Sequence, residues 1–442
     1  MSALVSSVAS SPGGPVTGRR VLLANARVLA CAGAPAAGPV DGDVLIEGDR
    51  VAEVFTGRAP IDPASIEVVD LAGATVMPGL CDAHTHISWP LDFVFDHPEI
   101  TAMPDDEHVL EVAGVVRTYL RAGYTLLVGA GALKPRSDVL VQRAIDKGLV
   151  DGPRLVPSGE MITQRGAIGA GNLREVGDVE DMRRAVGEQI DLGVRSVKLM
   201  ASGDGIVAEH PSRTTYLDDA MVAAAVDEAA RGDAFVTAHA RGPESVRMCV
   251  RNGVRIVHHA TYLDDDSIAA LTAARDEVWV CPGLHYLRQM VEGRSEPFGI
   301  TRERIEQALY PEELAAQVDG IRRLHANGVR LVAGGDFGHQ WTKHGTYAAE
   351  LLAYVELAGM SPIEALLTAT ANAGPLVGER LGKVAEGHLA DLVLVDGDPT
   401  ADISVLLDQD RIGPVFKGGR PTGTDGWGDV ATWAADRSIA DA

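Results

Sequence analysis

The sequence predicts an α/β fold of parallel strands joined by crossover helices, with a small β-sandwich built from the two ends of the chain. Three observations carry this reading. Short apolar runs rich in Val and Ile alternate with stretches of helical periodicity through the middle of the chain. That alternation demands a parallel sheet with crossover helices. β-like text flanks this region on both sides, and each flank alone is too small to bury a face.

The elements follow in order. From Val21 to Met77 the runs VLLANARVLA, DGDVLIEGDRVAEVF and IEVVDLAGATVM read as strands separated by Gly–Asp turns. DEHVLEVAGVVRTYLRAGY has apolar residues at helical spacing and leads into the strand TLLVGAG. DVEDMRRAVGEQIDLG, LDDAMVAAAVDEAARG, GPESVRMCVRNG, LDDDSIAALTAARD and PEELAAQVDGIRRLHANG are each expected as a helix preceding a strand. Several end in Gly, a common C-terminal cap. The loop MITQRGAIGAGN is expected after the third strand, and GHLADLVLVDGD and GPVFKGGRP return to β text.

A chain of 442 residues fits a barrel-sized unit plus a small accessory domain. Its 46% hydrophobic and 23% charged content is that of a soluble enzyme. Acids outnumber bases 62 to 39, for a net charge of −23. That disfavours nucleic acid and anionic membrane surfaces, which need a positive face. No run of about 18 apolar residues predicts a membrane helix. The opening MSALVSSVASSPGGPVTGRR lacks the pattern of a secretory signal and reads as a mobile arm. Four cysteines, Cys31, Cys81, Cys249 and Cys281, form no C-x-x-C pair and suggest reduced thiols in a cytoplasmic protein. Cys81 reads as a small buried strand residue rather than a soft ligand.

The chemistry sits at the ends of the apolar runs. VMPGLCDAHTHISWP places His84 and His86 on one side of a strand, where both imidazoles can hold one divalent metal. VRSVKLMASGD, AFVTAHARG, VRIVHHATYLD and VRLVAGGDFGH supply Lys198, His239, His259 and Asp336 in the same way. In a barrel of parallel strands the C-terminal end is where active sites are built.

The order His-x-His, Lys, His, His, Asp resembles the amidohydrolase superfamily of metal-dependent hydrolases. The texts VKLMASGD, AHARG and LADLVLVDGDP are similar to its imidazolonepropionase-like and prolidase-like branch. The resemblance runs from about Val21 to Arg420. It implies a (β/α)8 TIM barrel over residues 78–384 and a composite β-sandwich over 21–77 and 385–422, with an arm at 1–20 and a tail at 423–442. It also implies two divalent metal ions, zinc above manganese or iron, bridged by a carbamylated Lys198. A divalent metal lowers the pKa of water from about 15.7 to about 7 and acts as a Lewis acid. Lys198 cannot ligate as an ammonium, but carbon dioxide added to its amine makes an anion with two oxygens. His239 and His259 are expected on the second metal. His259 aligns with the family's His-Gly pair, here His-Ala, and His258 is expected to face the other side of its strand. Asp336 is expected as general base and acid, and can also touch a metal.

Candidate substrate contacts are Trp89, Phe93, Arg165, Tyr216, His285, Tyr286, His339 and His344. Trp89 and Phe93 suggest an apolar wall. Relatives carry Gly-Gly-His where this chain has Gly166, Ala167 and Ile168. The expected activity is hydrolysis of a C–N bond in a small amide, carbamate or urea, by a homo-oligomeric enzyme. A prolidase-like dipeptidase is the alternative, with Arg165, Arg213 or Arg241 clamping the substrate carboxylate. A deaminase is disfavoured, because Gly242 stands where deaminases place a Glu after the fifth-strand His. A scaffold without metals is disfavoured by the intact ligand set.

Overall fold

A computed structural model describes residues 18–31, 38–90, 102–167, 173–205, 211–423 and 426–440. The N-terminal strands are β1 (Arg20–Val28), β2 (Val40–Glu47), β3 (Arg50–Thr56), β4 (Glu67–Asp70) and β5 (Thr75–Pro78). The central strands are β6 (Leu80–Thr85), β7 (Tyr124–Gly129), β8 (Arg154–Val156), β9 (Met161–Gln164), β10 (Leu173–Val176), β11 (Ser196–Met200), β12 (Phe235–Ala240), β13 (Ile256–His259), β14 (Trp279–Cys281) and β15 (Arg330–Leu331). The C-terminal strands are β16 (Leu392–Val395), β17 (Ile412–Lys417) and β18 (Arg420–Thr422).

The two ends of the chain do meet. β16 pairs antiparallel with β5, Val393 opposite Met77, and joins β17 and β18 to the N-terminal strands. The result is one eight-stranded sheet, where a sandwich of two sheets was expected. The reason lies in β1. Its register shifts between Leu23 and Ala26, with Asn25 at a φ of 58°. Its first half pairs with β4 and its second half with β5, so both stay in one sheet. Val51 N–H donates to the His388 carbonyl, which brings the β3 edge back toward β16. Val21, Leu23, Val44, Ile46, Leu392, Leu394 and Phe416 share the enclosed core. In the segment expected as a tail, Trp427–Ala440 is a helix whose Trp427, Val430 and Ala434 join that core.

The central strands are parallel and alternate with helices, as the periodicity required. They form a seven-stranded sheet, β10-β9-β11-β12-β13-β14-β15, and a three-stranded sheet, β6-β7-β8. A few backbone bonds join the two: Ala83 N–H to Ala333 O at 2.8 Å, and Arg195 and Ser196 N–H to Pro157 O at 2.9 and 3.1 Å. Ladder pairing is not continuous between them among the described residues. The start of the loop expected after the third strand is β9, paired in parallel with β10. Beyond β15, Gly334 and Gly335 pass close against the site. A Cβ on Gly334 would stand 2.5 Å from Cys281 Sγ and 2.7 Å from His84 Cβ.

A buried ion pair ties the two parts together. Arg154 on β8 donates to Asp391 at 2.7 and 3.1 Å. Asp391 also accepts from Gly418 N–H, and the Lys417 ammonium caps the Gly152 carbonyl.

Candidate functional site

The side chains at the C-terminal ends of the central strands converge. His84 is the penultimate residue of β6, Lys198 lies on β11, His239 on β12, His259 ends β13, and Asp336 follows β15. His84 and His86 rings are 5.3 Å apart, His84 and His259 5.0 Å, and His239 and His259 4.5 Å. Asp336 Oδ1 stands 3.0 Å from His86 Nε2 and 3.5 Å from His84 Nε2. All six side chains are buried.

His258 departs from expectation. It does lie on the alternate face to Val257, but that face is the interior: its ring is 4.1 Å from His84. His259 reaches the same space because it and Ala260 leave extended geometry, at φ 68° and 47°. The alternation rule holds only while the backbone is extended. Asp336 also sits at positive φ, 56°. Strained non-glycine conformations of this kind cluster at functional sites.

The electrostatics suit a cation. Burial lowers the His84, His258 and His259 pKa values well below the usual imidazole range, so these rings are neutral ligands. Burial also takes His239 down to about 3. Lys198 is lowered to about 8, chiefly by burial. Burial works to raise Asp336, but the neighbouring His86, His339 and Lys198 hold it well below the carboxylate range. His86 Nδ1–H donates to Gly131 O at 3.2 Å, and His239 Nε2–H to Gly203 O at 2.9 Å. Metal-bound histidines are oriented by this kind of second bond. With its proton committed to Gly131, His86 turns a bare Nε2 toward the Asp336 oxygen, and a divalent cation beside them satisfies both acceptors. His84, His259 and Asp336 each offer a ligand atom within 4.8 Å of one another. His84 Nδ1 and His259 Nδ1 have no hydrogen-bond partner among the described residues. Buried polar atoms are rarely left so. The donor set therefore fits a metal.

The substrate candidates separate. Trp89 stacks on His86 at 3.8 Å and 5°. His339 packs edge-on to Trp89 at 4.6 Å, and Tyr286 lies 5.1 Å from His339. Trp341, which sequence reading missed, stacks on His339 at 4.8 Å. Its signal was its place two residues after His339, in the segment that follows Asp336. Burial takes His339 down to about 4. His344 is a supporting residue. Its Nε2–H donates to the Trp89 carbonyl at 3.0 Å, and Tyr347 OH meets its Nδ1 at 3.3 Å. His285 stacks on Phe337 at 5.7 Å, and its backbone N–H donates to Glu350. Tyr216, half-buried, donates its N–H to Ala201 O just beyond the Lys198 strand. Arg165 is not brought to the cluster: it is exposed and pairs with Asp181 at 3.5 Å. A charged loop residue with a carboxylate nearby on a helix's first turn has little reason to turn inward. Phe93 and Ile168 lie outside the described residues.

Arg213 is exposed and lies over the Tyr262 ring at 4.0 Å. Arg241 is fully buried and bonds to Glu313 at 3.1 Å and to Asp204 at 3.2 Å. Asp204 in turn stands 3.9 Å from His239 Nε2. Glu313, far along the chain on the helix Tyr310–Ala326, carried no sequence signal beyond an ordinary helix acid.

Known proteins are similar to this chain in sequence and fold. Ochratoxinase from Aspergillus niger is 29% identical over 399 residues, covering 80% of this chain and 78% of its own. A solved structure of a prolidase in complex with N-methylphosphonate-L-proline superposes with a TM-score of 0.79 at 27% identity, over 91% of this chain and 99% of that one. The crystal structure of A. niger ochratoxinase, at 23% identity, has the same fold, with a TM-score of 0.78 over 92% of this chain and 96% of that one. Residues 75–422 match the amidohydrolase family. The chain belongs to the amidohydrolase family.

Proposed function

We propose that this protein is a metal-dependent amidohydrolase that cleaves the C–N bond of a small amide, carbamate or urea. The observation that supports it most is the gathering of His84, His86, Lys198, His239, His259 and Asp336 around one buried space. His84, His86 and Asp336 would hold one divalent ion and His239 and His259 a second, with Lys198, carbamylated, between them. Zinc suits this His and carboxylate set; manganese or iron are the alternatives. When bound, such ions supply a Lewis acid and an acidified water.

The chain's own residues do the rest. Asp336, held ionised, accepts a proton at Oδ1 from the attacking water and hands it to the leaving nitrogen. Trp89, Tyr286, His339 and Trp341 offer a wall of aromatic rings, mostly set at angles to one another, for the substrate body and exclude water from it. The proposal includes a closed (β/α)8 barrel, a homo-oligomer and a cytoplasmic setting. No helix among the described residues is long and apolar enough to cross a membrane.

The second reading is a prolidase-like dipeptidase, favoured by the prolidase likeness. It needs a cation for the substrate carboxylate. Of the three arginines considered, only Arg241 lies beside the cluster, and two carboxylates already engage it. That weighs toward the non-peptide substrates. A panel of amides, carbamates, ureas and Xaa-Pro dipeptides, offered to zinc- or manganese-loaded enzyme, separates the readings. Turnover of Xaa-Pro dipeptides alone would replace the first by the second.

A further inference from the structure

His258 is buried with neither ring nitrogen hydrogen-bonded, among the described residues. Leaving such groups dry and unpaired is costly. The ring is not needed for the metal set above, yet it faces the same interior. Cys281 is its direct partner in the β13–β14 ladder, so the two side chains point to the same face. Cys281 is fully buried, and its thiol has only a long contact, 3.7 Å, to Gly334 O. His84, with its Nδ1 unpartnered, completes the group. One ligand atom from each of His84, His258 and Cys281 lies within 4.8 Å of the others.

We propose that His84, His258 and Cys281 form an inner binding site for a soft, thiophilic divalent cation such as zinc or cadmium, which takes His84 in place of the His86–Asp336 ion rather than alongside it. Thiolate with two imidazoles is a donor set that selects such ions over magnesium or calcium. Binding forms an S–metal bond and two N–metal bonds, and the Cys281 thiol proton is released to solvent. No electron changes hands. Bonding distances of about 2.3 Å to sulfur and 2.0–2.1 Å to nitrogen need only a small inward movement of the three side chains. Gly334 packs its backbone against Cys281 and His84, where a Cβ would clash with both, and so holds the two side chains close together. The inference does not depend on which bond the enzyme hydrolyses.

The test is a Cd²⁺ titration of the full-length protein, followed by ultraviolet absorption. A sulfur-to-cadmium charge-transfer band should grow and saturate at the amplitude of a single Cd–S bond per chain. It should vanish in Cys281→Ser, persist in Cys81→Ser, and require more Cd²⁺ in His258→Ala. No band in the wild type, or a band that survives Cys281→Ser, overturns the proposal. If the variants fail to fold, anomalous diffraction from Cd²⁺-soaked wild-type crystals decides. A peak bonded to Cys281 Sγ and His258 supports the site, and peaks at His86 and Asp336 only would refute it.

Discussion

Nζ of Lys198 lies 3.4 Å from Nε2 of His84, with both side chains buried. Burial is the main reason the lysine is lowered to about 8, and it leaves about a tenth of it as neutral amine at pH 7. Only the neutral amine can add carbon dioxide. The same shift makes a stability prediction for metal-free protein in carbon dioxide-free buffer. The unfolded chain keeps Lys198 near 10.4. Below about pH 8 the folded state carries a buried ammonium at its full cost. Between about pH 8 and 10.4 the unfolded state binds more protons, so stability rises with pH. Lys198→Met has no such group and should be the more stable at pH 7, by on the order of 3 kcal/mol. Urea denaturation across this range should show the gap closing. A pH-independent gap would mean that the lysine is not held near 8.

Replacing Asp336 by Asn keeps the shape of the side chain but removes the proton acceptor. Turnover should fall about 10²–10⁴-fold, the usual contribution of a positioned general base. Circular dichroism should be unchanged. Near-normal kcat with unchanged metal content would move the role to another group, His339 being the adjacent candidate.

Arg154 and Asp391 should be far more costly to separate than an exposed pair. Their side chains are 5% and 2% exposed, whereas Arg19 and Glu67 are 51% and 39% exposed. Removing one partner of a buried pair strands a charge and costs about 3–5 kcal/mol. A surface pair contributes about 0–1 kcal/mol. Arg154→Ala should therefore lower the urea midpoint sharply, and Arg19→Ala should barely move it. Equal effects would contradict the view that the Arg154 pair locks the composite sheet to the parallel strands.

Much of this molecule is legible in the chain text. The strand ends carrying His84, Lys198, His239 and Asp336 are each an apolar run ending in a metal-competent residue, and the structure places these side chains together. Two kinds of information were hidden. Alternation assumes an extended backbone, so it could not show that His259 turns inward at φ 68° and shares the interior with His258. Long-range partners were hidden too. Glu313 meets Arg241 from 72 residues away, and nothing local distinguishes it from other helix acids. Arg165 misled because a loop arginine near a site looks like an anchor, while Asp181 already offers it an exposed partner. The single composite sheet depended on a register shift at Asn25, which periodicity does not report.

The central claim is that the strand-end cluster works by holding divalent metal, and chelation with readdition tests it most directly. Protein dialysed against a chelator until metal analysis finds none should lose amide, carbamate or urea hydrolysis. Zinc or manganese should restore it, reaching a plateau near two ions per chain in the wild type and near one in Lys198→Met. Full hydrolysis by protein shown to be metal-free would contradict the account.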